Sequence, residues 1–150
     1  SDMGHRKSQY NLAVIFYKGL GTPQNFKRSY YWSIMSNLSG QREAKKLLDK
    51  NKKKINNTSQ NEIEEEVKEN LEKVIDEGKT FGIIPLAKWY LSVPKNPDYN
   101  NSYLWLSVAS ALNIKNSNKA RNIIFKKIKK KDLDDIQKEA NEIYNNLKIE

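Results

Sequence analysis

Tyr10-Asn-Leu-Ala-Val-Ile-Phe-Tyr-Lys-Gly-Leu-Gly-Thr-Pro-Gln-Asn-Phe-Lys-Arg-Ser-Tyr-Tyr-Trp32 is the most informative stretch of the chain. An apolar helix face runs into Gly19, Gly21 and Pro23, and an aromatic-rich second helix follows from Phe26. A fainter copy returns as Tyr90-Leu-Ser-Val-Pro-Lys-Asn-Pro-Asp-Tyr-Asn-Asn-Ser-Tyr-Leu-Trp105. In both copies a Tyr precedes the Trp by fifteen residues (32 − 17 and 105 − 90). Ser29-Tyr30-Tyr31-Trp32 matches Ser102-Tyr103-Leu104-Trp105 at an offset of 73 (102 − 29). A pattern recurring at fixed spacing points to stacked helical hairpins, because one hairpin cannot bury its apolar face alone.

Working outward, the spacing predicts a first helix over 7–18, with Leu12, Ile15, Phe16 and Gly19 on one face. Gly19 and Gly21 stop it and Pro23 prevents an early restart. A second helix spans 26–39 and a third 41–54, the latter with Ala44, Leu47 and Leu48 inward. Residues 56–61 read as a polar break. A fourth helix over 62–77 carries Ile63, Val67, Leu71, Val74 and Ile75 on one face and a run of glutamates at its start, which suits the helix dipole. Pro85 fits the opening turn of a fifth helix, over 84–92. Helices over 99–112 and 118–130 follow, and a last one opens on Asp132 as its cap. No strand is expected. The expected fold is all-α, a short right-handed α-solenoid of about eight helices, paired antiparallel, in two similar halves.

The residues Asn11-Leu12-Ala13-Val14-Ile15-Phe16-Tyr17-Lys18-Gly19-Leu20-Gly21-Thr22-Pro23, followed by Tyr30-Tyr31-Trp32, resemble the Sel-like repeat family, relatives of the tetratricopeptide repeats. The second hairpin keeps Tyr90, Tyr103, Trp105 and Ala109 but has Ser92 and Pro94 where the first has its glycines. The resemblance implies one helical-repeat domain over 1–150. Within it, 7–40 would be the first hairpin, 41–78 connecting helices, 84–113 a degenerate second hairpin, and 117–150 capping helices. Residues 1–5 read as an expression scar, with further sequence expected upstream. Functionally, it implies a bacterial scaffold that binds proteins or peptides and catalyses no reaction.

Composition sets the outer limits. At 150 residues a folded domain buries about 70% of its unfolded surface, so a core needs no staples. No apolar run reaches the ~18 residues of a membrane span. The chain has no cysteine, which removes disulfides and thiolate chemistry. The compartment stays open. The formal charge of +9 reflects abundant lysine, part of which looks like base-composition bias.

Each candidate chemistry has a plainer reading. Gly19-Leu20-Gly21 lacks the preceding strand and third glycine of a dinucleotide loop. The matched aromatics Tyr17, Tyr30, Trp32, Tyr90, Tyr103 and Trp105 read as packing between helices rather than a stacking platform, while Tyr31 and Trp89 are freer to reach the surface. The acidic clusters at Glu62 to Glu66 and at Asp132, Asp134 and Asp135 sit at helix starts without histidine, so no metal site is expected. His5 is the one histidine, which leaves no nucleophile–base pair; catalytic residues and cofactors are both expected to be none.

Two functions from different classes remain. The leading one is a monomeric module that docks a partner protein or peptide along the first helix of each hairpin, with adjacent lysines favouring an acidic partner. Its expected contacts are Asn11, Ile15, Lys18, Lys88 and Leu91. The alternative is electrostatic binding of nucleic acid or anionic membrane by the lysine tracts around Lys45 to Lys54 and Lys126 to Lys131.

Overall fold

The computed structural model describes residues 2–147, with side chains from residue 5 onward. Among the described residues the secondary structure is entirely helical. The helices are α1 (Asp2–Lys18), α2 (Phe26–Leu38), α3 (Ala44–Lys52), α4 (Asn57–Asp76), α5 (Ile83–Ser92), α6 (Tyr99–Ala111), α7 (Ser117–Phe125) and α8 (Lys130–Asn146). A single 3-10 turn, Thr80–Gly82, leads into α5. The chain forms two compact units, Ser1–Glu69 and Asn70–Glu150, whose boundary falls inside α4.

In the first unit α1 packs on α2 and α2 on α3. Side-chain bonds show that α1 and α2 are antiparallel: Ser29 donates to the Ala13 carbonyl at 2.7 Å and Ser36 to the Arg6 carbonyl at 2.8 Å. Ser29, Ser33 and Ser36 are fully buried at four- and three-residue steps on α2. Their small size lets neighbouring backbones approach, and each hydroxyl is satisfied by a backbone carbonyl. From α3 the buried Asn51 amide donates to Ser29 at 2.9 Å and to Ser33 at 3.4 Å. The apolar core around this seam includes Ala13, Tyr30, Ile34, Leu38, Ala44, Leu47 and Leu48.

Two interactions join α2 to the start of α4. Tyr30 donates its hydroxyl to Glu64 at 2.6 Å, and Arg28 forms a two-point pair with Glu66 at 2.7 and 3.2 Å. Burial is the main reason the Tyr30 hydroxyl titrates far above its ordinary range, and the bond to Glu64 with its negative charge adds to it.

In the second unit α5 packs on α6, and α6 also carries α7 and α8. Its core holds Leu71, Ile75, Ile83, Leu86, Ala87, Trp89, Tyr103, Leu104, Leu106, Val108 and Ala109. Helix boundaries in the two units match at an offset of 73: α2 and α6 begin and end 73 apart (99 − 26, 111 − 38), as do α3 and α7 (117 − 44, 125 − 52). Asn25 caps α2 through its side chain and Asp98 caps α6 in the same way. Gly40 and Asn113, 73 apart, both turn the chain with positive φ (105° and 60°), as the left-handed position after a helix requires. Tyr30 bonds Glu64, and Tyr103 accepts a longer bond from Gln137 at 3.4 Å, again at the same offset.

Several sequence expectations need correction. α1 begins at Asp2 rather than 7, since no proline stops it there and Arg6 is held by Ser36. α4 begins at Asn57, inside the expected polar break, because the Asn56 side chain accepts the Ser59 amide and turns those residues into a helix start. α7 ends at Phe125, five residues early. Lys129, not Asp132, is the N-cap of α8 and makes no side-chain cap; Asp132 lies in the first turn. Tyr31 and Trp89, which the sequence leaves freer to reach the surface, are buried. Arg28 covers the Tyr31 ring at 4.8 Å and Trp32 meets its edge, while Tyr90 meets Trp89 edge-on.

Gly82 offers a direct test of packing at the start of α5. A methyl group there would meet Val74 Cγ2 at 2.8 Å and the Leu71 carbonyl oxygen at 3.3 Å. Gly82→Ala is therefore expected to destabilise by roughly 1–3 kcal/mol, read from the urea midpoint. An unchanged midpoint would mean that α5 and α4 are not in this contact.

Candidate functional site

The second unit holds a hollow of about 460 Å3 between α5, α6 and α7. α5 is short and begins on the 3-10 turn, so Pro85 sits in its first turns, where its missing N–H costs no helical bond. The same helix buries Ile83, Leu86, Ala87 and Trp89, which leaves Lys88 exposed and Leu91 half-buried at the hollow. α6 contributes Ser102 and Leu106, both buried. α7 contributes Ala120, Ile123 and Ile124. Ile124 is 8% exposed but Ile123 is 67% exposed.

The wall of the hollow is thus apolar, and two cations, Lys88 and Lys115, stand at it. No carboxylate lines it. Ser102 is fully buried, and its hydroxyl has no hydrogen-bond partner among the described residues. Phe125, at the end of α7, is 48% exposed and tilts against Tyr103 at 6.1 Å, and it does not line the hollow.

Of the contacts expected from sequence, the structure brings Lys88 and Leu91 together at this hollow. Asn11, Ile15 and Lys18 lie on α1 in the other unit. Asn11 and Lys18 are exposed, and Ile15 is half-buried, its carbonyl accepting the Gly19 and Leu20 amides. Ile84, Ser102, Leu106, Lys115, Ile123 and Ile124 were missed. A signal was there: Ile123, Ile124 and Phe125 are consecutive, and a helix can turn only part of such a run inward. Which of them faced out was not readable.

A more polar cleft of similar size is lined by Asn96, Asp98, Tyr99, Lys127, Lys129 and Asp132. Lys127 stands over the Tyr99 ring at 5.7 Å. The lysines of both tracts are exposed, as expected of a solvated face. Among the described residues no group of three or more His, Cys, Asp or Glu is placed to hold a metal ion, and no helix is long and apolar enough to cross a membrane. Comparison with family models, with curated proteins and with solved structures finds no match to this chain.

Proposed function

We propose that this chain is a non-catalytic binding module that docks an acidic, amphipathic helix or peptide of another protein in the hollow of its second unit. The observation that carries the reading is the apolar wall of Leu91, Leu106, Ile123 and Ile124, half-buried at Leu91 and exposed at Ile123, with Lys88 and Lys115 beside it. An amphipathic helix presents such a wall with complementary apolar anchors, and acidic residues at its flanks meet the lysines. The matched helix boundaries at 73 residues support an internal duplication. Together with the Tyr10–Trp32 pattern, they support the Sel-like reading of stacked helical hairpins, which we take to be a short right-handed α-solenoid and a monomer.

The test is selection of helical peptides from a display library, followed by calorimetry on single variants. Leu91→Asp and Ile123→Asp are expected to weaken a selected peptide at least tenfold, since each places a charge in the apolar contact. Replacing Lys126, Lys127, Lys129, Lys130 and Lys131 together by glutamine should leave its affinity nearly unchanged. Binding that depends on those lysines and falls steeply with salt would favour the nucleic-acid or membrane reading instead.

A further inference from the structure

Ser102 is the buried polar group of the hollow whose hydroxyl no described residue satisfies, and the first unit contains its counterpart with a partner in place. Ser29 lies 73 residues earlier (102 − 29), at the same position of α2 as Ser102 occupies in α6. Its hydroxyl donates to the Ala13 carbonyl and accepts from the Asn51 side-chain amide at 2.9 Å. Asn51 is fully buried, and the same amide reaches Ser33. The residues at 73 from Asn51 and Ser33 are Ile124 and Leu106. Both line the hollow, and neither side chain can donate or accept a hydrogen bond. The second unit has therefore kept the serine but not the amide that occupies it in the first.

An unpaired buried hydroxyl is costly, on the order of 1–3 kcal/mol, so a ligand that satisfies it gains what the free protein lacks. We propose that the docked partner inserts a carboxamide side chain, glutamine or asparagine, into this hollow and donates its N–H to Ser102. It would act in trans as Asn51 acts on Ser29 in cis. This inference rests on the docking reading above and names the anchor that reading leaves open. Ser102 is then a specificity-determining residue: the apolar wall supplies affinity, Lys88 and Lys115 favour acidic flanks, and the serine selects the anchor. Because Ser102 is closed to solvent, approach requires lining side chains to move, above all Ile124, which is buried at the position that Asn51 holds in the first unit.

The experiment uses two acidic amphipathic helical peptides, identical except for a central Gln or Met, which have similar shapes and differ in hydrogen bonding. Affinities for both are measured on the wild-type chain, Ser102→Ala and Ile124→Asn. The ratio of Met-peptide to Gln-peptide dissociation constants is expected to be about 5–10-fold larger for the wild type than for Ser102→Ala, the size of one net hydrogen bond. Ile124→Asn, which restores the amide found in the first unit, should lower that ratio similarly by occupying Ser102 from within. Without peptide, Ser102→Ala should melt no lower than the wild type, since it removes an unpaired hydroxyl. Two binding peptides whose ratio is the same on all three chains would overturn the proposal and leave docking intact. If neither peptide binds the wild type, and none is selected from the library, the docking reading itself falls and this inference with it.

Discussion

Leu86→Ala is expected to lower the unfolding free energy by roughly 2–5 kcal/mol, among the largest effects of any single truncation in this chain. Leu86 is 0% exposed and lies on a helix of 10 residues. A helix that short is not stable by itself in water and depends on the face it buries. Here that face is Ile83, Leu86, Ala87 and Trp89, packed chiefly on α6. Removing the Leu86 side chain leaves a void that neighbouring atoms close only partly, so the loss exceeds simple transfer from water. Ile84, half-buried on the same helix, is the control, and Ile84→Ala should cost clearly less. Urea unfolding followed by circular dichroism gives both values. Equal and small losses at the two positions would mean that α5 is not seated as described. Because α5 forms one wall of the hollow without Leu86 lining it, the variant should also weaken peptide docking through disorder rather than lost contact.

Tyr30 sets the second large effect, and it appears only in alkali. Burial, reinforced by Glu64 and Asp49, raises its pKa well above the ordinary value of 10.0. The folded chain thus keeps the phenolic proton at a pH where the unfolded chain releases it. Above pH 10 the unfolded state binds fewer protons than the folded state, so stability falls as pH rises. The contribution is complete below about pH 10 and is lost at about 1.4 kcal/mol per pH unit above it. Tyr30→Phe removes the group that titrates. At neutral pH the variant should be less stable by roughly 1–3 kcal/mol, having lost a hydrogen bond to a carboxylate. Between pH 10 and 11 the wild type should lose that advantage while the variant is spared this part of the decline. Parallel stability curves for the two chains across that range would show that Tyr30 does not hold its proton through burial.

The Arg28–Glu66 pair beside Tyr30 should matter less. Its side chains are 35% and 40% exposed, so solvent screens much of the attraction despite the two-point geometry. Its role is to orient α2 against the start of α4 in company with the part-buried Tyr30–Glu64 bond.

Helical character, the number of helices and most of their ends were legible in the sequence. Apolar periodicity and glycines at chain reversals are local signals, and Gly19, Gly40 and Gly78 do take positive φ. The misplaced start of α4 has a local cause too: turn-forming residues such as Asn56 serve as caps and as loops, and only the hydrogen bond to Ser59 tells which. The recurrence of Ser29-Tyr30 as Ser102-Tyr103 was visible, but the exchange of Asn51 for Ile124 gained meaning only when the buried amide was seen on its serine.

By itself, the chain's order of apolar, small and turn residues determined an all-helical protein with a pattern repeated at 73 positions, because helix periodicity and termination act within a few residues of the backbone. Tertiary structure alone decided that Tyr31 and Trp89 are covered, that Ile123 is not, and that Ser102 lines a hollow with no partner for its hydroxyl among the described residues. Those outcomes depend on which neighbour fills the space beside each side chain, and that neighbour is distant in sequence.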